Sequence, residues 1–108
     1  MAVKSLDGHS MLDPADCPNM ASLRTQIDAL DRDLISLLKK RMGYIDRAVE
    51  IKTGAGLPAN IPARVEDVVA KVKAAAVEQQ LDPELVEVLW RHLIDWSIAR
   101  EAQTIKLD

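Results

Sequence analysis

A chain of 108 residues has room for one compact domain and one modest core. Its 48% hydrophobic and 29% charged residues are a globular balance, and 14 Lys plus Arg against 17 Asp plus Glu, a net charge of -3, exclude general attraction to nucleic acid or an anionic membrane. A single cysteine, Cys17, excludes an intrachain disulfide, and no Cys/His spacing resembles a metal site, so a reducing cytoplasm is the expected setting and no cofactor is called for.

Residues 1–20 carry Gly8, Pro14 and Pro18 among small polar residues with no sustained period, and read as a flexible lead-in. They lack the apolar core of a secretory signal, and nowhere does the chain have the run of about 18 apolar residues that a membrane span needs. From Met20 to Lys52 there is no proline and one glycine, Gly43, which predicts a long helix with Ser22 as N-cap. Leu23, Ile27, Leu30, Leu34, Leu37, Ile45 and Ala48 recur at helical spacing, broken only between Leu37 and Ile45. Arg41 sits in that gap. Residues 53–63, with Gly54, Gly56, Pro58 and Pro62, form a loop. A second helix over 64–80 places Val65, Val68, Val69, Val72 and Ala76 on one face. Leu81 to Pro83 make a turn in which Asp82 suits the N-cap and Pro83 the first helical position of a third helix, 84–105. With no strand pattern or internal repeat, the fold class is all-α: three helices, the first much the longest, in one helical domain over 21–108.

Thirty-odd helical residues span roughly 45 Å, whereas a compact chain of this size has a radius of gyration of only about 13 Å. Two shorter helices cannot cover such a stripe, so the pattern predicts a homodimer in which the long helices of two copies pack together.

Two cations interrupt the stripe. Arg41 and Lys52 lie within about 20° of one another around the helix and roughly 16 Å apart along it, near enough for two long side chains to converge on one small anion. Lys39, Lys40, Arg47 and Glu50 fall on the solvated side. A cation in an apolar stripe needs a carboxylate partner or a ligand. Asp31 or Glu101 are possible partners, and snorkelling to the rim is a further alternative. Arg24, at the stripe's edge, lies about 25 Å before Arg41 and can reach that end only from an antiparallel second copy. On the third helix Ser97 and Glu101 stand at i and i+4 beside Trp90, Ile94, Ile98 and Ile105. Glu101 reads either as a core ion-pair partner of Arg41 or Lys52, or as an acid kept protonated to donate a hydrogen bond. His9, His92 and Cys17 have no convincing chemical partner; Trp90 and Trp96 are expected in the core.

The combination LRTQIDALDRDLISLLKKRM…IK, a Pro-containing loop, ARVEDVVAKV and LDPELVEVLWRHLIDWSIAREA resembles the all-helical chorismate mutases over about residues 20–105. The DPADC lead-in, RM.Y, IPARV and the W.IA.E ending are similar to the subgroup containing isochorismate pyruvate-lyase. The resemblance implies an intertwined homodimer with two equivalent sites, each taking Arg24 from the partner chain. Arg41, Lys52 and Arg64 match the family's other cations. Glu101 matches its hydrogen-bonding residue on the last helix, and Ser97 a residue lining the same pocket. The substrate implied is chorismate, or isochorismate in the lyase subgroup; catalysis would rest on Lys52, Glu101 and Arg41, with Arg24, Arg64, Val65 and Ser97 completing the binding site, and with no cofactor or metal. Val65 stands where many mutases have a hydroxyl-binding Glu, a lyase-like feature, whereas the lyase would have Gln at 101. The expected function is chorismate mutase, making prephenate, with isochorismate pyruvate-lyase and a non-enzymatic helical dimerisation module as the alternatives.

Overall fold

The computed structural model of the chain describes residues 3–4 and 10–108. The expected flexible lead-in falls partly outside them, as does His9. Within them the class is all-α, built from α1 (Met20–Ala55), α2 (Pro62–Glu78) and α3 (Pro83–Glu101). Two features were not expected: two-residue strands, β1 (Val3–Lys4) and β2 (Ser10–Met11), pair antiparallel with Val3 opposite Met11, and Pro14–Asp16 form one 3-10 turn. Two residues are too few for an alternating pattern to be visible in sequence. No helix among the described residues is long and apolar enough to cross a membrane.

Helix ends differ from expectation in instructive ways. Asn19, not Ser22, caps α1: its Oδ1 accepts the Ser22 N–H at 2.9 Å, placing Ser22 inside the first turn. At the other end α1 runs on to Ala55, where Gly56 takes φ +70 and the Leu57 N–H reaches the Lys52 carbonyl at 2.9 Å. This 6→1 bond is a Schellman closure. α2 begins two residues early because Pro62 fits the first helical position after Ile61. It ends with Gln80 at φ 59, Gln80 N–H on the Val77 carbonyl at 3.1 Å and Leu81 N–H on Ala76 at 2.8 Å, a second Schellman closure made without glycine. Asp82 caps α3 as expected, accepting from Glu84 N–H at 2.9 Å. That helix stops at Glu101, four residues short of the expected end, where the Glu101 carbonyl takes the N–H groups of Thr104 and Ile105.

The chain divides into two units, one up to Gly43 and one from Tyr44 to Asp108. In the first, the Leu12 N–H donates to Gln26 Oε1 at 3.1 Å, tying the lead-in to the second turn of α1. In the second, α2 and α3 pack together around Val69, Ala76, Val86 and Ile94. Across that seam Arg91 grips Glu66 with both terminal nitrogens, at 3.1 and 3.0 Å, while Lys73 and Arg91 share Glu87. Past α3 the chain returns alongside the loop after α1: Ala59 and Asn60 donate to the carbonyls of Lys106 and Leu107 at 2.8 and 2.7 Å.

Candidate active site

The second unit buries one ion pair. Lys52 stands in the last turn of α1, and the Gly56 reversal brings the chain back so that the Ala59 carbonyl accepts from Lys52 Nζ at 3.0 Å. Glu101, the last residue of α3, accepts from the same ammonium at 2.7 Å. Their side chains are 17% and 5% exposed. Each charge thus has a partner at hydrogen-bonding distance, the condition under which a buried pair is tolerated. Of the readings open for Glu101, the structure realises the ion pair with Lys52. Ser97, one turn earlier on the same helix, is buried and donates to the Leu93 carbonyl at 2.8 Å.

The remaining sequence-predicted residues are less confined. Arg64, in the first turn of α2, is 62% exposed and donates to Asp67 at 2.6 Å. Hydrogen bonds from Lys71 and then Arg64 hold the Asp67 carboxyl below the usual carboxylate range. Val65 beside it is half-buried. In the first unit Arg24 is exposed and Arg41 half-buried. Lys39, Lys40, Arg47 and Glu50 are exposed as expected, the last two paired with each other at 2.9 Å. Trp90 is half-buried, but Trp96, expected in the core, is 54% exposed, with the Arg100 guanidinium 5.7 Å from its ring centroid. Arg100 also forks onto Asp46 at 2.7 and 3.0 Å, which holds the Asp46 carboxyl below its usual value. Among the described residues no group of three His, Cys, Asp or Glu side chains is placed to hold a metal.

Sequence reasoning missed the Ala59 carbonyl. A main-chain acceptor has no residue-type signature; the breakers around it announced a loop, not which carbonyl would turn inward.

With Lys52 and Glu101 converging chemically, the arrangement offers a half-buried ammonium beside a buried carboxyl, suited to binding an anion or to stabilising negative charge as it develops. Comparison with known proteins agrees in kind. The family model described as chorismate mutase type II matches residues 23–102. Over 92 residues the chain is 36% identical to an isochorismate pyruvate lyase of Pseudomonas aeruginosa, covering 84% of this chain and 89% of that one. It is 32% identical to a T-protein of Enterobacter agglomerans over 76% of its own length but only 22% of the relative's. A chorismate mutase of Methanocaldococcus jannaschii is 24% identical over 81% of this chain and 88% of its own.

Proposed function

This chain belongs to the chorismate mutase type II family, and we propose that it is an enzyme rearranging chorismate to prephenate in a site centred on Lys52 and Glu101. The observation that carries the reading is the half-buried Lys52 ammonium, held by Glu101 and Ala59 within the family-matched span. The rearrangement is a one-step pericyclic shift, so the protein's task is to hold the folded conformer and stabilise charge. Lys52 faces the ether oxygen, where negative charge develops as the C–O bond breaks. Arg41, Arg64 and a second copy's Arg24 grip the two carboxylates, bidentately where geometry permits. Arg64 gives up little in doing so, because its present bond to Asp67 is an exposed one. Ser97 and Val65 line the pocket.

Glu101 donates a second hydrogen bond to the ether oxygen, for which it must carry a proton. In the free chain it accepts from Lys52. Glu101→Gln, which keeps a hydrogen-bond donor at this position, therefore retains mutase activity, whereas Glu101→Ala loses about 100-fold in kcat; wild-type kcat in Glu101→Ala removes Glu101 from this role. Homodimerisation in a cytoplasmic setting belongs to the same reading, supported by the exposed apolar residues of α1, Ile27, Leu30 and Leu34 among them.

A lyase reading, isochorismate to salicylate and pyruvate, is favoured by the 36% identity to the Pseudomonas relative and by Val65. Offering the purified protein chorismate and isochorismate separately decides: prephenate supports the mutase, salicylate with pyruvate the lyase. Turnover of neither supports a helical dimerisation module.

A further inference from the structure

Lys52 is held by two acceptors, and the second is itself held by residues to which nothing has assigned a role. An ammonium carries three N–H bonds. Among the described residues two are spent, on Glu101 Oε1 at 2.7 Å and on the Ala59 carbonyl at 3.0 Å. Fixing two of three tetrahedrally disposed donors fixes the direction of the third. The Glu101 acceptor sits on a helix, but the Ala59 carbonyl belongs to a loop segment, and a loop carbonyl is only as well placed as its own backbone.

That backbone is bonded on its other side. Ala59 N–H donates to the Lys106 carbonyl at 2.8 Å, Asn60 N–H to the Leu107 carbonyl at 2.7 Å, and Asn60 Nδ2 to Asp108 Oδ1 at 3.1 Å. Ala59 is 3% exposed, so its peptide groups have little water to fall back on, and the bonds from the tail are the ones that define the loop's position. The Lys106–Asp108 tail reaches this loop because α3 stops at Glu101 and turns over through Thr104 and Ile105 instead of continuing as a helix.

We propose that residues 106–108 are a positioning strap that, through Ala59 and Asn60, aims the third N–H of Lys52 at the substrate. This rests on the reading of Lys52 as the substrate-facing cation. The strap touches no reacting atom. It narrows the orientations of one that does, and misplacement of a catalytic group by about 1 Å can cost on the order of 100-fold in rate.

Two measurements test it on a chain ending at Ile105 and on Asn60→Ala, which keeps both main-chain bonds. The first is brief labelling with an amine-reactive reagent, followed by peptide mass spectrometry of Lys52, with Lys71, 69% exposed, as internal standard. Loss of the strap raises Lys52 labelling several-fold relative to Lys71, and Asn60→Ala raises it less. The second is kinetics: kcat on whichever substrate the wild type turns over falls about 10-fold or more in the shortened chain with KM nearly unchanged, since aim rather than affinity is lost. Unaltered Lys52 labelling and kcat in a shortened chain of native helix content overturn the strap. If the shortened chain does not fold, wild-type labelling and kcat in a chain ending at Lys106, which loses the Leu107 acceptor of the Asn60 N–H together with Asp108, overturn it. A wild type inactive on both substrates removes the site reading instead, and the labelling then still decides whether the tail controls Lys52.

Discussion

The two units differ in what they bury. From Tyr44 onward the chain closes Val69, Ala76, Val86 and Ile94 into its own core, and it can hold Ser97 and Glu101 buried because each has a hydrogen-bond partner. Up to Gly43, α1 displays Ile27, Leu30, Leu34, Ile35 and Leu38 with over 40% of each exposed, and the one residue that α1 buries anywhere along its length is Asp33. The second unit also leaves Leu85, Val88 and Leu89 exposed, but over a core of its own, whereas an apolar stripe with no buried apolar residue on its helix is a surface waiting for a partner. The difference teaches where the proposed dimer would draw much of its energy, from the first unit's stripe, while the second supplies the Lys52–Glu101 pair.

The largest effect expected from breaking that contrast lies at the buried pair. Glu101→Leu leaves the Lys52 ammonium half-buried with the Ala59 carbonyl alone, so stability measured by urea unfolding should fall by about 3–5 kcal/mol, as when one partner of a buried ion pair is removed. Lys52→Ala should lower kcat by about 100-fold or more, the scale of a lost charge-stabilising donor. A Glu101→Leu protein of wild-type stability would mean that the pair is solvated and that the second unit's core does not include it.

On the first unit, Leu34→Glu adds a charge to the exposed stripe. In a monomer such a surface change is nearly neutral. In a dimer it buries a carboxylate from each copy and should weaken assembly by about 100-fold or more, on the order of 3 kcal/mol. Light scattering across a dilution series reads this directly, and an oligomeric state that ignores the substitution breaks the link between the stripe and dimerisation. Mixing inactive Arg24→Ala with inactive Lys52→Ala chains sharpens it: shared sites recover part of the activity in verified heterodimers, and unshared sites recover none.

Legibility in the sequence follows the same division. Helical periodicity marked all three helices, and it singled out Arg41 and Lys52 among the cations because only a regular stripe makes an intruder visible. Asp82 and Pro83 announced the start of α3 because their chemistry suits those positions alone. The start of α1 was misread because Asn19 and Ser22 are both good caps, and only the three-residue offset of the actual bond tells them apart. The end of α3 was misread because AQTI carries no breaker; past it the chain pairs with residues 59 and 60, a contact across more than forty residues that helical periodicity does not reveal. Trp96 shows the remaining blind spot. A large aromatic on a helix reads as core, yet here its exposed ring is covered by Arg100 from its own helix.

A smaller effect belongs to the non-glycine closure of α2. Gln80 holds a left-handed backbone, φ 59, which a Cβ makes costly and glycine adopts freely. Gln80→Gly should therefore stabilise the second unit, by about 0.5–1 kcal/mol after the greater flexibility of glycine in the unfolded chain is subtracted. A loss of stability would show that the Gln80 side chain contributes more than its backbone costs.

The smallest effect is expected on the α2–α3 seam, and its sign follows from the charges. Arg91 holds Glu66, and Lys73 with Arg91 holds Glu87, below the usual glutamate value. A carboxyl that is more acidic folded than unfolded contributes stability above its unfolded value of about 4.3, and that contribution disappears as the pH falls through the folded one. Over this window the unfolded chain binds more protons, so acid works against the fold. Both glutamates are exposed enough for solvent to screen much of the attraction, which keeps the effect small. Arg91→Gln releases Glu66 from its partner and Glu87 from one of two, so the acid limb of Tm against pH should become shallower in the variant, with the two curves converging at low pH where the carboxyls are neutral in both. Parallel curves across that range would mean that the helices of the second unit are held by Val69, Ala76, Val86 and Ile94 alone.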